Sequence, residues 1–288
     1  MNTHQKRSRA AATQPVAPFT GEGAYHGSTK PRPAPAPEAA EPPPVAEMRP
    51  FTLDRYGDTG ALDIETFTAR FTNRHEPLAA LPVPTQEAIA ADDVTFCWCP
   101  FDEALREAGP LTRSVLEAMQ GHISGRKRYV YIDSKIQFFR AGDVPVDSQH
   151  WHVDGSIAVR DERVRRLGHA LLHDMRARLE GPAEPPTYLS YQSSEHCATM
   201  FVTEPVSLTL PELIPDFIDL DRMVRALDPA TVSQPAGAVV RFDGLSLHRA
   251  VAARGDGWRL WIRCAETDRK VELTSSIIDC YGKVYRPQ

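Results

Sequence analysis

The sequence predicts a mainly β, α+β fold, a β-sandwich or jelly-roll barrel buttressed by helices, on three features of the chain. Residues 129–140 (YVYIDSKIQFFR) alternate in polarity and are rich in Tyr, Val, Ile and Phe, as a half-buried strand requires. Short segments of the same kind recur through the second half of the chain, bounded by turn-forming residues. Apolar residues at helical spacing are concentrated before and between those segments.

Residues 1–48 stand apart. Ten of the chain's 25 prolines fall in the first 50 residues, in clusters such as PRPAPAP and EPPP. A segment with so little to bury cannot offset the entropy of ordering it, so a disordered Pro/Ala-rich tail is expected. One domain is expected over 49–288. Its helical support spans 51–127, with helices over 61–72 (ALDIETFTARFT) and 111–123 (LTRSVLEAMQGHI). In the second of these, Leu111, Val115, Leu116, Met119 and Ile123 mark one face.

The β core is expected over about 129–280. After the strand at 129–140 and the turn AGDVP, strands are expected at 187–193, 198–209, 237–243, 246–252, 258–266 and 271–279. Val164, Leu167, Leu171, Met175 and Leu179 recur every three or four residues among many charges. They predict an amphipathic surface helix with a solvated Arg-rich face. No internal repeat is visible.

The formal net charge is -5, with 33 basic against 38 acidic side chains. Proteins that coat nucleic acid or anionic membranes show a basic excess, so neither partner is expected. Five cysteines (Cys97, Cys99, Cys197, Cys264 and Cys280) are too few for a secreted disulfide framework of this length. Cys97 and Cys99 have no second pair at zinc-finger spacing and read as thiols on a short strand. The basic start MNTHQKRSRAAATQ leads into no apolar run of signal-peptide length, and no stretch approaches the roughly 20 apolar residues of a membrane span. A cytoplasmic protein is expected.

The chemistry is concentrated in His152-Val153-Asp154 and His248. On an extended strand, side chains two apart share a face, so His152 and Asp154 converge. His248, in the predicted strand SLHRAVA, supplies a third donor. Two imidazoles and one carboxylate on one face leave coordination positions open, the arrangement that suits non-haem Fe(II). Around them the chain reads strand, Gly-containing turn and His-x-Asp in IQFFRAGDVPVDSQHWHVDG. It then reads strand, turn, His248, turn and Arg259 in GAVVRFDGLSLHRAVAARGDGWRLWIRCAE.

In these segments the sequence resembles the Fe(II)/2-oxoglutarate-dependent dioxygenase superfamily, over roughly residues 129–270. The resemblance implies a double-stranded β-helix, with iron held by His152, Asp154 and His248 and with 2-oxoglutarate and O2 as cosubstrates. It also implies an arginine on the strand after the distal histidine to anchor the cosubstrate. Arg259, eleven residues after His248, fits that spacing, and Arg263 shares its strand face. A guanidinium pairs bidentately with a carboxylate, so either can be the anchor, and Arg263 can instead hold an anionic group of the substrate. Lys135 and Gln137 are candidates for a second cosubstrate contact. The expected reaction is hydroxylation of a small molecule, with release of succinate and CO2. A carboxylate at position 154, where related halogenases have a small residue, favours hydroxylation or desaturation.

Two rival readings remain at this point. His150-x-His152 also suits a cupin-like metalloprotein that does not use 2-oxoglutarate, although no Glu follows as cupins usually have. A non-enzymatic jelly-roll binding or structural module is the other. His150 is otherwise a pocket residue or an exposed histidine, and His122, His169, His173 and His196 have no partner at ligand spacing. Trp151, Trp258 and Trp261 suit either a pocket wall or the core. No Gly-x-Ser-x-Gly elbow and no phosphate-cradling Gly-rich loop is present.

Overall fold

The structure, a computed structural model, describes residues 65–145, 149–154, 173–181, 184–214, 217–271 and 284–285. The predicted tail, residues 164–172 of the predicted surface helix, and all but Val271 of the predicted strand at 271–279 lie outside the described residues. What is described is mainly β. Its centre is an antiparallel six-stranded sheet of order β2-β12-β7-β14-β5-β4. These strands are β2 (His75–Ala80), β4 (Cys99–Pro100), β5 (Tyr129–Phe139), β7 (Thr187–Gln192), β12 (Ala238–Asp243) and β14 (Gly257–Thr267).

The two-residue period of the strands gives this sheet two chemically different faces. One face carries Ile132, Leu189, Tyr191, Val239, Leu260, Ile262 and Cys264, all buried. It is covered by α1 (Gln86–Ala91), α2 (Phe101–Glu107) and α3 (Pro110–Gln120), through Ile89, Ala104, Leu116 and Met119. Helix α3 carries Val115, Leu116 and Met119 on its buried face, as its periodicity predicts. Its N-terminus is held by Asp92, whose Oδ2 accepts from the backbone N of Thr112 at 2.6 Å and from its Oγ1 at 2.7 Å. The chain passes so close to that carboxylate that a Cβ on Gly109 would lie 1.6 Å from Asp92 Oδ1, which only glycine avoids.

The opposite face carries polar and aromatic residues. Asp133, Lys135 and Gln137 of β5 stand directly across from Arg263, Trp261 and Arg259 of β14. Facing them is a three-stranded sheet, β11 (Thr231–Ser233), β8 (Thr199–Val202) and β13 (His248–Ala250), in the order β11-β8-β13. The two sheets touch where Phe201 of β8 meets Phe242 of β12, ring centroids 5.2 Å apart.

A second apolar cluster includes Trp151 and Val153. It also takes residues from β1 (Thr66–Phe71), β9 (Val206–Pro211), α4 (Met175–Glu180) and α5 (Ile218–Leu227). Short pairs complete the arrangement: β6 (His173–Asp174) with β10 (Leu213–Ile214), and β3 (Thr95–Phe96) with β15 (Val284–Tyr285).

The helix predicted over 61–72 is overturned in its described part. Residues 66–71 form β1, with Phe67, Ala69 and Phe71 buried and the residues between them exposed, and β1 pairs with β9. The support region at 51–127 therefore contains strands as well as helices. The strand predicted at 198–209 divides into β8 and β9 around Thr203, Glu204 and Pro205. No helix among the described residues is long and apolar enough to cross a membrane.

Candidate metal centre

His152 and His248 are placed by a single backbone pairing. The N–H of each donates to the carbonyl of the other, both at 3.0 Å, which makes them an antiparallel bridged pair. Residues directly opposite in such a pair project their side chains to the same face. The two imidazole centroids accordingly lie 4.5 Å apart. Asp154, two residues past His152, joins them, and the candidate ligand atoms of all three residues lie within 4.8 Å of one another.

The imidazoles are presented in one tautomer. Nδ1 of His152 lies 2.8 Å from the carbonyl of His150, and Nδ1 of His248 lies 2.9 Å from the carbonyl of Ser246. A carbonyl only accepts, so each Nδ1 carries the proton and each Nε2 keeps its lone pair for the centre of the cluster. Burial, reinforced by the neighbouring His248, lowers the pKa of His152 to about 4. Burial by itself would raise the pKa of Asp154, but Arg263 and then His248 outweigh it and hold the carboxyl well below its usual range. His152 is therefore a neutral imidazole and Asp154 a carboxylate at neutral pH, the protonation state a divalent metal requires of such ligands.

Asp154 is itself oriented. Arg263 Nη1 donates to Asp154 Oδ2 at 2.5 Å, and Arg263 Nη2 donates to Asp133 Oδ2 at 2.7 Å. The guanidinium lies over the rings of Trp98, Tyr188 and Trp261 at 5.2, 5.3 and 5.5 Å. Trp98 adopts a left-handed backbone, φ 48°, and its N–H donates to the other oxygen of Asp133 at 2.9 Å. Strain of that kind persists only where the surroundings fix it, and here it helps close the cage around Arg263.

A cavity of about 220 Å³ opens on the cluster between the two sheets. That is a small volume for a ligand site, suited to metabolite-sized molecules. Arg259 lies in its wall, 4% exposed. Its Nη2 is 3.5 Å from both Gln192 Oε1 and Thr199 Oγ1, at the outer limit of hydrogen bonding, and its Nε has no partner. Among the described residues no carboxylate pairs with it. Burial lowers the pKa of this guanidinium, yet an arginine stays protonated. Arg259 is thus a buried cation facing a cavity without a counter-anion.

The predicted site residues are brought together as follows. His152, Asp154, His248, Arg259 and Arg263 all line the one cavity, with Lys135 and Trp261 beside them, while Gln137 is not part of its wall. Trp151 and Trp258 pack in the two apolar clusters. His150 contributes its carbonyl to His152, and its ring lies 3.4 Å from Asp221. Thr199, Phe201 and Phe242 also line the cavity, and nothing in their local sequence marks them. The Arg-rich face of the surface helix, predicted to be solvated, is not uniformly so: Arg178 of α4 is buried.

No family model matches the chain, and no curated protein matches it. Among solved structures it is similar to the crystal structure of AviO1 from Streptomyces viridochromogenes Tue57, at 18% identity and a TM-score of 0.33. That match covers 70% of this chain and 94% of the other. A likeness at that level says nothing about fold or chemistry, which rest on the site's own geometry.

Proposed function

We propose that this protein is a non-haem Fe(II)- and 2-oxoglutarate-dependent oxygenase built on a double-stranded β-helix, hydroxylating a small molecule. The observation that supports it is the pairing of two features on one cavity. One is a two-His, one-carboxylate cluster, and the other is Arg259, a buried guanidinium with no counter-anion among the described residues. The cluster alone would also serve Zn(II) or a metalloprotein without 2-oxoglutarate. The unpaired guanidinium calls for an anionic ligand beside the metal, and a dicarboxylic keto acid supplies one.

His152 Nε2, Asp154 and His248 Nε2 would hold Fe(II). Bound there with 2-oxoglutarate and O2, the iron supplies oxidising chemistry in which the keto acid is converted to succinate and CO2 and one oxygen atom goes to the substrate. The chain's own residues prepare that site. The carbonyls of His150 and Ser246 hold the imidazole tautomers, and Arg263 holds the carboxylate. Arg259 would clamp the far carboxylate of 2-oxoglutarate, fixing its keto-acid end toward the cluster. Phe201 and Phe242 line the cavity on its apolar side.

Calorimetric titration of 2-oxoglutarate into the Mn(II)-loaded, full-length chain tests this reading. Wild type is expected to bind. Arg259→Gln is expected to weaken binding by about 30-fold or more, the scale of losing one charged hydrogen-bond partner, without changing Mn(II) affinity. Equal affinity in both proteins would contradict the role of Arg259. Absence of binding in metal-loaded wild type would remove 2-oxoglutarate from the proposal.

A further inference from the structure

The two imidazoles of the cluster are backed in the same way, each through one peptide unit. The carbonyl 2.8 Å from Nδ1 of His152 belongs to His150, and the N–H of that same peptide is the one on Trp151. It donates to Asp221 Oδ1 of α5 at 2.9 Å. The carbonyl 2.9 Å from Nδ1 of His248 belongs to Ser246, and the N–H of that peptide is the one on Leu247. It donates to Asn73 Oδ1 at 2.8 Å. Each candidate ligand thus ends a chain of two hydrogen bonds, from imidazole to peptide to side-chain oxygen.

Both terminal acceptors are buried, and both are fixed by further bonds. Oδ2 of Asp221 accepts from Arg225 Nε at 2.7 Å and lies 3.4 Å from His150 Nδ1, while Oδ1 takes the Trp151 N–H. Burial by itself would raise the pKa of Asp221, but the hydrogen bonds from Arg225 and Trp151 outweigh it, so the group is a carboxylate at neutral pH. Asn73 lies in the turn between β1 and β2. Its Nδ2 donates to the carbonyl of Glu204 at 2.7 Å, which sets the orientation of the amide and turns Oδ1 toward Leu247. Its backbone is left-handed, φ 51°, a conformation that asparagine adopts more readily than most residues.

A partner behind a metal-binding histidine fixes its ring and raises its basicity, and hydrogen bonds in series polarise one another. Here a peptide is interposed, and its carbonyl accepts more strongly when its N–H is bound to an oxygen. A carboxylate has that effect more strongly than an amide. We infer that Asp221 and Asn73 are positioning residues of the metal centre, each holding one histidine ring and tuning its donor strength through a single peptide unit, the charged Asp221 more strongly. Neither residue is in the cavity wall, so both act through the histidines. These roles need the metal centre of the oxygenase reading but not its 2-oxoglutarate.

The test uses the full-length chain loaded with Co(II), whose paramagnetism moves the NMR signals of protons on its ligands far from their ordinary positions. Wild type is expected to show two such exchangeable signals, one from each Nδ1–H. Asp221→Ala should move one of them and hasten its exchange with water, leaving the other in place. Asn73→Gly, which accepts the left-handed backbone, should do the same to the second signal alone. Calorimetric titration should show Co(II) affinity about 10–100-fold weaker in both variants. Asp221→Asn, which loses the charge but keeps an acceptor, should show a smaller change. Val224→Ala is the control, because Val224 is a fully buried residue of the same helix and packs in the cluster that contains Trp151 and Val153. It should lower the melting temperature and leave both signals and the affinity as in wild type.

Unchanged signals and affinity in Asp221→Ala or in Asn73→Gly would overturn that residue's role. Val224→Ala reproducing the effects of Asp221→Ala would reduce Asp221 to packing and overturn its role as well. A wild type that binds no Co(II) would overturn both roles, since no centre would remain to be positioned. If Asp221→Ala does not fold, Asp221→Asn decides: a signal and an affinity equal to wild type overturn the role. Failure of the oxygenase reading shows separately, as metal-loaded wild type that binds no 2-oxoglutarate while the Asp221 and Asn73 effects on Co(II) persist.

Discussion

Arg263 illustrates how much of a candidate site is set one contact away from its candidate ligands. It bridges Asp154 to Asp133, which is fully buried, and three aromatic rings hold its guanidinium. Arg263→Gln would leave Asp133 buried without its cation and Asp154 free to turn. The expected cost is about 3–5 kcal/mol of stability, the scale for breaking a buried ion pair from one side, read by urea unfolding. The metal should also bind about 10–100-fold more weakly, read by Mn(II) titration. A variant that unfolds more easily but binds Mn(II) as wild type does would show that Asp154 needs no such orientation.

At this scale the grouping of His152, Asp154, His248 and Arg259 on one cavity was legible, because two-residue strand spacing and an eleven-residue interval survive in a linear reading. The burial of Arg178 was not. Charged residues at helical spacing normally mark a solvated face, and only the tertiary placement of α4 buries one of them.

The six-stranded sheet separates stability from chemistry. Its helix-covered face carries the core cluster around Leu116 and Met119, and the other face lines the cavity. Leu116→Ala should therefore cost about 2–5 kcal/mol, as buried Leu truncations do. Asp92→Ala should cost about 1–2 kcal/mol through the lost cap on α3. Neither should change Mn(II) affinity in the folded protein. A metal affinity that falls in step with stability in both variants would mean that the two faces are coupled.

Element prediction succeeded where one face alternated cleanly, as in β5 and β14, and failed at β1. In TFTARF the alternation of Phe67, Ala69 and Phe71 was present, but Ile64, Phe67 and Phe71 also fit helical spacing. What decides for a strand is β9, a partner far along the chain that no local window contains.

For the molecule as a whole, the His152–His248 bridge joins the segment ending at Asp154 to β13, so a metal bound there would tie together parts of the chain nearly a hundred residues apart. Mn(II) at about 100 times its dissociation constant should stabilise the fold by about 2.7 kcal/mol, raising the melting temperature by roughly 5–10 °C for a domain of this size. EDTA should reverse the shift, and His248→Ala should abolish it. A melting temperature indifferent to Mn(II) in wild type would argue against a metal site.

The β-rich class and the convergence of His152 with Asp154 were readable because both depend on short-range periodicity. The face-to-face placement of β8 and β13 on the large sheet, which makes the cavity, was not, since it depends on pairings such as Phe201 with Phe242 between distant strands.

The most direct measurement is an anaerobic titration of the full-length chain with Fe(II) and 2-oxoglutarate, followed by the weak visible charge-transfer absorption of the chelate. The expected result is a band in wild type, lost in His152→Ala and weakened in Arg259→Gln. Folded wild-type protein that binds Fe(II) and shows no band on adding 2-oxoglutarate would contradict the oxygenase assignment, and a chain that binds no Fe(II) would contradict the metal centre itself.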